Sequence, residues 1–213
     1  MSDVGFFYSA AALIINGLVL LGRVSGKAAL PLNLFVGGMQ IIFPTLILIQ
    51  SNGDAGTVLS ASSTYLFGFT YLYVALNELI GASGEGLGWF SLFVTVCACA
   101  FSAQNFASAS PVYGVLWLFW GLLWSLFFAI LALGKKHLER PCGWFTLLLG
   151  IFTVGLPGFL ELLGLFPNTG SMAWVMLGVG SVLFVLSFGA GSFKRKAHPL
   201  QANTEEECNK NPA

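Results

Sequence analysis

The segment LFGFTYLYVALNE, Leu66 to Glu78, is too apolar for the surface of a soluble protein, yet it carries Thr70, two tyrosines and Asn77 at intervals. The whole chain of 213 residues shares this character, since 56% of its residues are hydrophobic and 8% are charged. Soluble domains average about 25% charged residues, and the mean hydropathy here is +0.83. So few charges cannot cover a water-exposed surface, and the composition therefore predicts a chain that lies in a lipid bilayer.

Seven apolar runs have the length that an α-helix needs to cross a bilayer, which is about 20 residues for a hydrocarbon core of about 30 Å. Strands of a membrane barrel would be about 10 residues long and alternating, so we predict an all-α integral membrane protein, a compact bundle of seven transmembrane helices. Asp3 is the only charge before the first run, which favours a retained span over a cleaved signal peptide. The predicted spans are 4–22, 30–50, 59–80, 88–107, 112–133, 142–164 and 171–192.

The lysines and arginines predict the orientation of the chain. They follow the first, fifth and seventh runs, whereas the amino terminus and the loops after runs two, four and six have none. Because positive charge collects on the cytoplasmic side, we predict a multi-pass protein of the plasma (inner) membrane, with the amino terminus outside and the carboxyl terminus in the cytoplasm. Residues 1–193 would form the transmembrane domain, and residues 194–213, which have no apolar run, a disordered cytoplasmic tail.

The chain lacks the residue sets that enzymes and metal sites need. The middles of the seven runs hold no Asp, Glu, Lys, Arg or His; Glu78 and Glu161 lie near span ends, and His137 and His198 lie in predicted cytoplasmic segments. The four cysteines lack the loop spacing and the nearby histidine that would complete a zinc site, and no nucleophile–base pair or phosphate loop is present. We therefore predict no enzymatic activity, no metal, no other cofactor and no nucleic-acid partner.

Aromatic rings and neutral polar groups remain as candidate functional residues. In WLFWGLLW, 117–124, the tryptophans stand at offsets of 0, 3 and 7, which places them on one helical face and over about 10 Å of depth. A tryptophan belt at the membrane boundary would instead lie at one depth. Phe67 and Tyr71 share a face of the third run, which also carries Thr70, and the first run has a lone Asn16. These residues either line a permeation pathway or serve helix packing alone.

Five segments of the chain are distinctive, namely NLFVGG (33–38), LFGFTYLY (66–73), GWFSLFV (88–94), WLFWGLLW (117–124) and GIFTVGLP (150–157). In this order and at similar spacing, they resemble the AmiS/UreI family of bacterial urea channels and short-chain amide transporters over about residues 1–165. The amide-transporter branch is the more similar. The family's urea channels have six spans in each protomer, a pore in each protomer and a hexameric ring. The resemblance implies that the narrow part of the pore is lined by Phe67, Tyr71, Trp117, Trp120 and Trp124, with Asn16 as a polar contact.

Three departures from the acid-gated urea channel bear on function. That channel carries a carboxylate just before the G-I-x-T element of its sixth span, where this chain has Leu149. It also has a long, histidine-rich outer loop between spans two and three, where this chain has only SNGDAGT, 51–57. The predicted seventh span is the third departure. We therefore expect a six-helix family core with one added helix, and a pore that is not gated by acid.

The resemblance and the residues together predict a passive channel for urea or short-chain aliphatic amides. Residues 1–193 would be the channel domain, and the substrate pathway would comprise Asn16, Phe67, Thr70, Tyr71, Trp117, Trp120 and Trp124. The expected partners are membrane lipid, further copies of the chain in a homohexamer, and a cytoplasmic amidase or urease that consumes the solute. The alternatives are a non-transporting membrane sensor or partner protein, and a proton-coupled amide carrier in which Glu161 titrates.

Overall fold

A computed structural model describes residues 2–192, which form helices and short connections without a β-strand. The predicted all-α fold with seven long helical segments is confirmed. The predicted tail, 194–213, and its boundary at residue 193 lie outside the described residues. The helices are α1 (Ser2–Leu20), α2 (Gly26–Gln50), α3 (Ala55–Ile80), α4 (Glu85–Ala107), α5 (Pro111–Leu131), α6 (Glu139–Leu149), α7 (Leu156–Leu162) and α8 (Gly170–Ser192), with a 3-10 turn at Lys136–Leu138 and a π-helical segment at Gly150–Gly155.

Within residues 2–192, six of the seven long segments are both long enough and apolar enough to span a membrane. The sixth of the seven long segments in chain order, hereafter the sixth span, is Lys136–Leu162, which joins α6, the π-helical segment and α7. The other long segment, α3, has 26 residues but is less apolar, because its first half contains serines and threonines. Its outward side chains are nevertheless apolar in the second half, where Phe69 is 50% exposed and Leu79 is 62% exposed.

Helix ends coincide with local capping groups. The side chain of Ser25 accepts a hydrogen bond from the backbone N–H of Ala28, which caps α2, and Asp54 caps α3 through Thr57. Such caps satisfy backbone donors that a helix leaves unpaired at its first turn. α3 ends at Gly81, whose φ of +66° is a left-handed conformation that glycine adopts without strain.

Pro44 and Pro157, which fall within the second and sixth apolar runs, have different surroundings. α2 continues as an α-helix through Pro44, whereas Pro157 is the second residue of α7, which begins where the π-helical segment of the sixth span ends. Proline lacks the N–H that would continue the hydrogen-bond ladder, and π-helical turns are rare and occur often at functional sites. The sixth span is therefore one transmembrane segment with a widened turn at mid-length.

α5 lies at the centre of the bundle and is its most buried helix. The helices pack as antiparallel neighbours, with α2 against α3 and α4 against α5, while α1 packs against α6, the π-helical segment and α2. Glycines allow close approach where α1 meets α6, because a Cβ on Gly17 would lie 2.8 Å from the backbone nitrogen of Leu147. This arrangement encloses a space bounded by α1, α3, α4, α5 and the sixth span.

α8 packs on the outside of this core, against α5 and α6. The ring of Phe119 lies over Gly180, and the rings of Phe145 and Phe184 pack edge to face with centroids 5.4 Å apart. The opposite side of α8 faces outward, with Trp174 75% exposed and Val185 68% exposed. α8 is therefore an added helix that covers the sixth span and lines neither of the two large cavities described below.

Candidate functional site

Phe67 of α3 lies against all three tryptophans that the sequence places on one face of α5. Its ring centroid is 5.7 Å from that of Trp117, 5.3 Å from that of Trp120 and 4.9 Å from that of Trp124. The three indoles are between 3% and 5% exposed and point into the bundle. This aromatic cluster, defined as Phe67, Trp117, Trp120 and Trp124, thus brings together side chains that are about 50 residues apart in the sequence.

Two cavities enter the bundle from opposite ends and share Phe67 and Trp120 as lining residues. The upper cavity, about 410 Å³, lies at the end that holds Asp3 and is also lined by Trp117. The lower cavity, about 510 Å³, lies at the end that holds Lys27 and is also lined by Trp124. The Phe67 and Trp120 rings meet edge to face between them, at an interplanar angle of 85°. The aromatic cluster is therefore the constriction between the two cavities.

All seven residues predicted for the pathway line one cavity or both. Phe67 and Trp120 line both cavities, and Trp117 lines the upper one. The lower cavity is lined by Asn16, Thr70, Tyr71 and Trp124.

Two of the three indole N–H groups of the aromatic cluster, those of Trp120 and Trp124, donate hydrogen bonds within the protein. The indole N–H of Trp124 donates to the Thr70 hydroxyl at 3.2 Å, and the indole N–H of Trp120 donates to the Thr153 hydroxyl at 3.3 Å. A buried indole N–H needs such a partner because its water has been removed. Trp120 and Trp124 therefore present ring surfaces at the constriction, while their N–H donors point to threonines of the sixth span and α3.

Tyr71 is anchored to α1 and, through it, to α2. Its hydroxyl donates to the Ser9 carbonyl at 3.4 Å, and the Ser9 hydroxyl donates to the Gly5 carbonyl at 3.0 Å. The Gln40 amide of α2 donates to the same Gly5 carbonyl at 3.1 Å and also to the Ser9 hydroxyl. Gln40 is 2% exposed, and both Ser9 and Gln40 line the upper cavity. This network fixes three helices around the constriction.

Asn16 forms a reciprocal pair with Asn33. Each side-chain amide donates to the oxygen of the other at 2.8 Å, and Asn33 also donates to the Ala29 carbonyl. Asn33 is fully buried, whereas Asn16 reaches the lower cavity. The pairing fixes the orientation of the Asn16 side-chain amide, which faces the lower cavity.

Charged side chains occur at the two mouths and not at the constriction. Asp3 and Glu161 line the upper cavity, and Lys27 and Glu78 line the lower cavity. The described lysines and arginines all lie at the lower end, in or beside the connections that follow α1 and α5. Leu149, which precedes the π-helical segment, is fully buried. A neutral polar solute at the constriction would thus meet rings and no ionised group.

Four residues around the constriction were missed by sequence reasoning. Phe6 of α1 contacts Trp120 with centroids 5.7 Å apart, and Phe101 of α4 stacks on Trp117 at 4.9 Å. Nothing in the sequence distinguishes these two from other apolar residues. Gln40 could have been found, because an amide within a long apolar run is costly unless it has a role. Thr153 had the weaker signal of one hydroxyl in such a run.

A family model described as the AmiS/UreI family transporter matches residues 1–165. A protein of Mycolicibacterium smegmatis named "Putative amidate substrates transporter protein" is 45% identical over 95% of each chain. The acid-activated urea channel of Helicobacter pylori strain J99 is 29% identical over 75% of this chain and 96% of its own. A crystal structure of the urea channel from Helicobacter pylori superposes with a TM-score of 0.69, at 26% identity, over 78% of this chain and 100% of that chain.

The family match covers most of the chain, and the 45% identical relative is matched over nearly its full length. The matched region ends at residue 165, before α8 begins. It contains both cavities and the aromatic cluster. The protein therefore belongs to the AmiS/UreI family of membrane transporters and is not an enzyme.

Proposed function

We propose that this protein is a passive channel for short-chain aliphatic amides or urea, with one aromatic-lined pathway in each protomer. The observation that supports the proposal most directly is that two cavities from opposite ends meet at Phe67 and Trp120. Amides are placed before urea because the relative described as an amidate transporter is 45% identical, whereas the urea channel is 29% identical. Free cavities on both sides of one constriction are what a solute needs to enter and leave by diffusion.

The chemistry of the constriction suits a flat, neutral, polar solute. Moving an amide group out of water without hydrogen-bond partners costs several kcal/mol, so the bilayer itself passes such solutes slowly. The cavities shorten the dry part of the route to the aromatic cluster, where ring faces match a planar molecule. Binding there is weak, and weak binding allows release. An ion would find no counter-charge at the constriction.

The proposed setting follows the distribution of charge and the resemblance to the family. The described positive charges lie at the lower end, which we take as cytoplasmic in the plasma (inner) membrane. The upper cavity would then open to the outside, where the amino terminus lies. By resemblance, protomers assemble into a homohexamer and deliver the solute to a cytoplasmic amidase or urease.

Proteoliposomes that contain the purified protein are expected to take up acetamide, propionamide and urea at least about tenfold faster than empty liposomes, which corresponds to a barrier lower by about 1.4 kcal/mol. Stopped-flow light scattering after an osmotic step measures the rates. A matched control is the same protein at equal density with glucose outside, which should not enter. Uptake equal to that of empty liposomes would contradict the channel proposal and favour a non-transporting sensor or partner protein.

Flux is expected to be unchanged between about pH 5 and about pH 7.5, the range in which a histidine would titrate. In the short loop between α2 and α3, hydrogen bonds from the backbone N–H and then the hydroxyl of Thr57 lower the pKa of Asp54 below its usual 3.8. A carboxyl group whose pKa is lowered by folding stays ionised, and so stabilises the fold, until the pH falls through that lowered pKa. Asp54 therefore remains ionised across the tested range, and the cap of α3 stays intact. Uptake rates measured at both pH values in one liposome preparation check this.

The second candidate function is a proton-coupled carrier, and the paired carboxylates of the upper cavity are the feature that favours it. Asp3 and Glu161 both line that cavity, and Lys27 and Glu78 are the charged groups of the lower one. Uptake of acetamide above its outside concentration under an imposed pH gradient, present in the wild type and lost in Glu161→Gln, would establish this mechanism and exclude the passive one. A constant flux in both proteins supports the passive channel.

A further inference from the structure

Each of two tryptophans at the constriction is tied to the backbone through one threonine. The Trp120 N–H donates to Thr153, and the Thr153 hydroxyl donates to the Leu149 carbonyl at 2.8 Å. The Trp124 N–H donates to Thr70, and the Thr70 hydroxyl donates to the Leu66 carbonyl at 2.7 Å. The direction of each relay is fixed, because an indole N–H can only donate and a carbonyl can only accept.

Thr153 differs from Thr70 in its position. Thr70 lines the lower cavity, whereas Thr153 is fully buried and lines neither of the two cavities. It lies in the π-helical segment, Gly150–Gly155, behind Trp120 as seen from the constriction. A solute in either cavity can therefore meet Thr153 only through Trp120.

The ring of Trp120 decides how wide the constriction is. It lines both cavities and packs against Phe67 of α3, Phe6 of α1 and Trp117. A rotation of this indole would open or close the gap beside Phe67. The hydrogen bond to Thr153 is the directional contact that holds the indole at one angle, since the ring contacts constrain it less specifically.

We propose that Thr153 is a positioning residue that holds the Trp120 ring at a fixed angle, so that the constriction sorts solutes by their cross-section. The sorting of solutes by the constriction rests on the proposed channel function. Its structural part, the fixed angle of the indole, is independent of which solute passes. In this arrangement the π-helical segment places the Thr153 hydroxyl within hydrogen-bond distance of the Trp120 indole N–H.

The test compares Thr153→Val, which keeps the shape and removes the hydroxyl, with Thr153→Ser, which keeps the hydroxyl and removes a methyl group. The readout is the ratio of acetamide permeability to that of the broader 2,2-dimethylpropanamide in proteoliposomes. Thr153→Val is expected to lower this ratio about fivefold, since one neutral hydrogen bond contributes roughly that factor, and Thr153→Ser should keep it near the wild-type value. The matched control is Thr95→Val in α4, whose hydroxyl donates to Ser91 and Gly121 carbonyls and contacts no indole hydrogen.

Near-ultraviolet circular dichroism of the indoles gives a second readout that does not need transport. Thr153→Val should change this signal, and Thr153→Ser and Thr95→Val should not. An unchanged ratio with an unchanged spectrum in Thr153→Val would overturn the proposal. Equal losses in the Val and Ser variants would overturn it too, because the site would then respond to any change of the side chain and not to loss of the hydroxyl. If the wild type passes no amide, the channel proposal fails, and the spectrum alone then decides whether Thr153 positions the ring.

Discussion

Trp120→Ala is expected to raise the permeability to amides wider than acetamide by about tenfold or more, the change that about 1.4 kcal/mol removed from the barrier produces. Trp120 lines both cavities and faces Phe67 at their junction. Removing its indole would join the upper and lower cavities into one lumen. Acetamide flux should rise less, because a narrow solute already passes. The measurement is the ratio of the two permeabilities in proteoliposomes of equal protein density.

Trp174→Ala is the matched control for this change. Trp174 lies on the outward side of α8 and is 75% exposed, so the same truncation there leaves the constriction intact. Burial also predicts a difference in stability, since truncating a buried Trp costs about 3–5 kcal/mol. Both variants should therefore be compared after correction for folded protein. An unaltered permeability ratio in folded Trp120→Ala would show that the aromatic cluster serves packing alone.

Gly37→Leu is expected to destabilise the protein by at least about 3 kcal/mol, the upper end of the usual cost of overpacking. A Cβ on Gly37 would lie 2.9 Å from the backbone nitrogen of Leu72 and 2.8 Å from its side chain. The added side chain must therefore push α3 away from α2. Because α3 carries Phe67 and Tyr71, the constriction should be distorted as well.

The neighbouring glycine provides the control. A Cβ on Gly38 would meet no atom within 4 Å, so Gly38→Leu adds the same side chain to the same helix without a clash. The thermal midpoint in detergent and the yield of folded protein after extraction should fall for Gly37→Leu and stay near wild type for Gly38→Leu. Equal midpoints would mean that the contact between α2 and α3 relaxes more easily than its geometry indicates.

The periodic and compositional parts of the sequence predicted the fold well. The length of the apolar runs was sufficient to identify seven helical segments, including α3, which is less apolar than the rest. The helix starts were predicted less well: α2 and α3 each begin four residues earlier than expected, at Gly26 and Ala55. Serine and aspartate caps extend these helices beyond the apolar run, and a search for apolar residues does not detect such caps.

Only those features of the candidate site that depend on spacing within one helix could be predicted from the sequence. The spacing of Trp117, Trp120 and Trp124 predicted one face, and the structure places that face against Phe67. Thr153 was missed because its importance depends on a partner in another helix. The π-helical segment was missed because Pro44 and Pro157 look alike in the sequence, and only their different surroundings separate a continuous helix from a widened turn.

The added helix α8 changes how copies of this chain can pack side by side. It covers the flank of α5 and α6, so a neighbouring copy on that flank would touch the outward residues of α8, such as Trp174 and Val185, and could not reach the sixth span. A ring of such protomers would be spaced more widely at this joint by one helix diameter, about 10 Å, than a ring of chains that end after six spans. The perimeter and the central opening of such an assembly would be correspondingly larger.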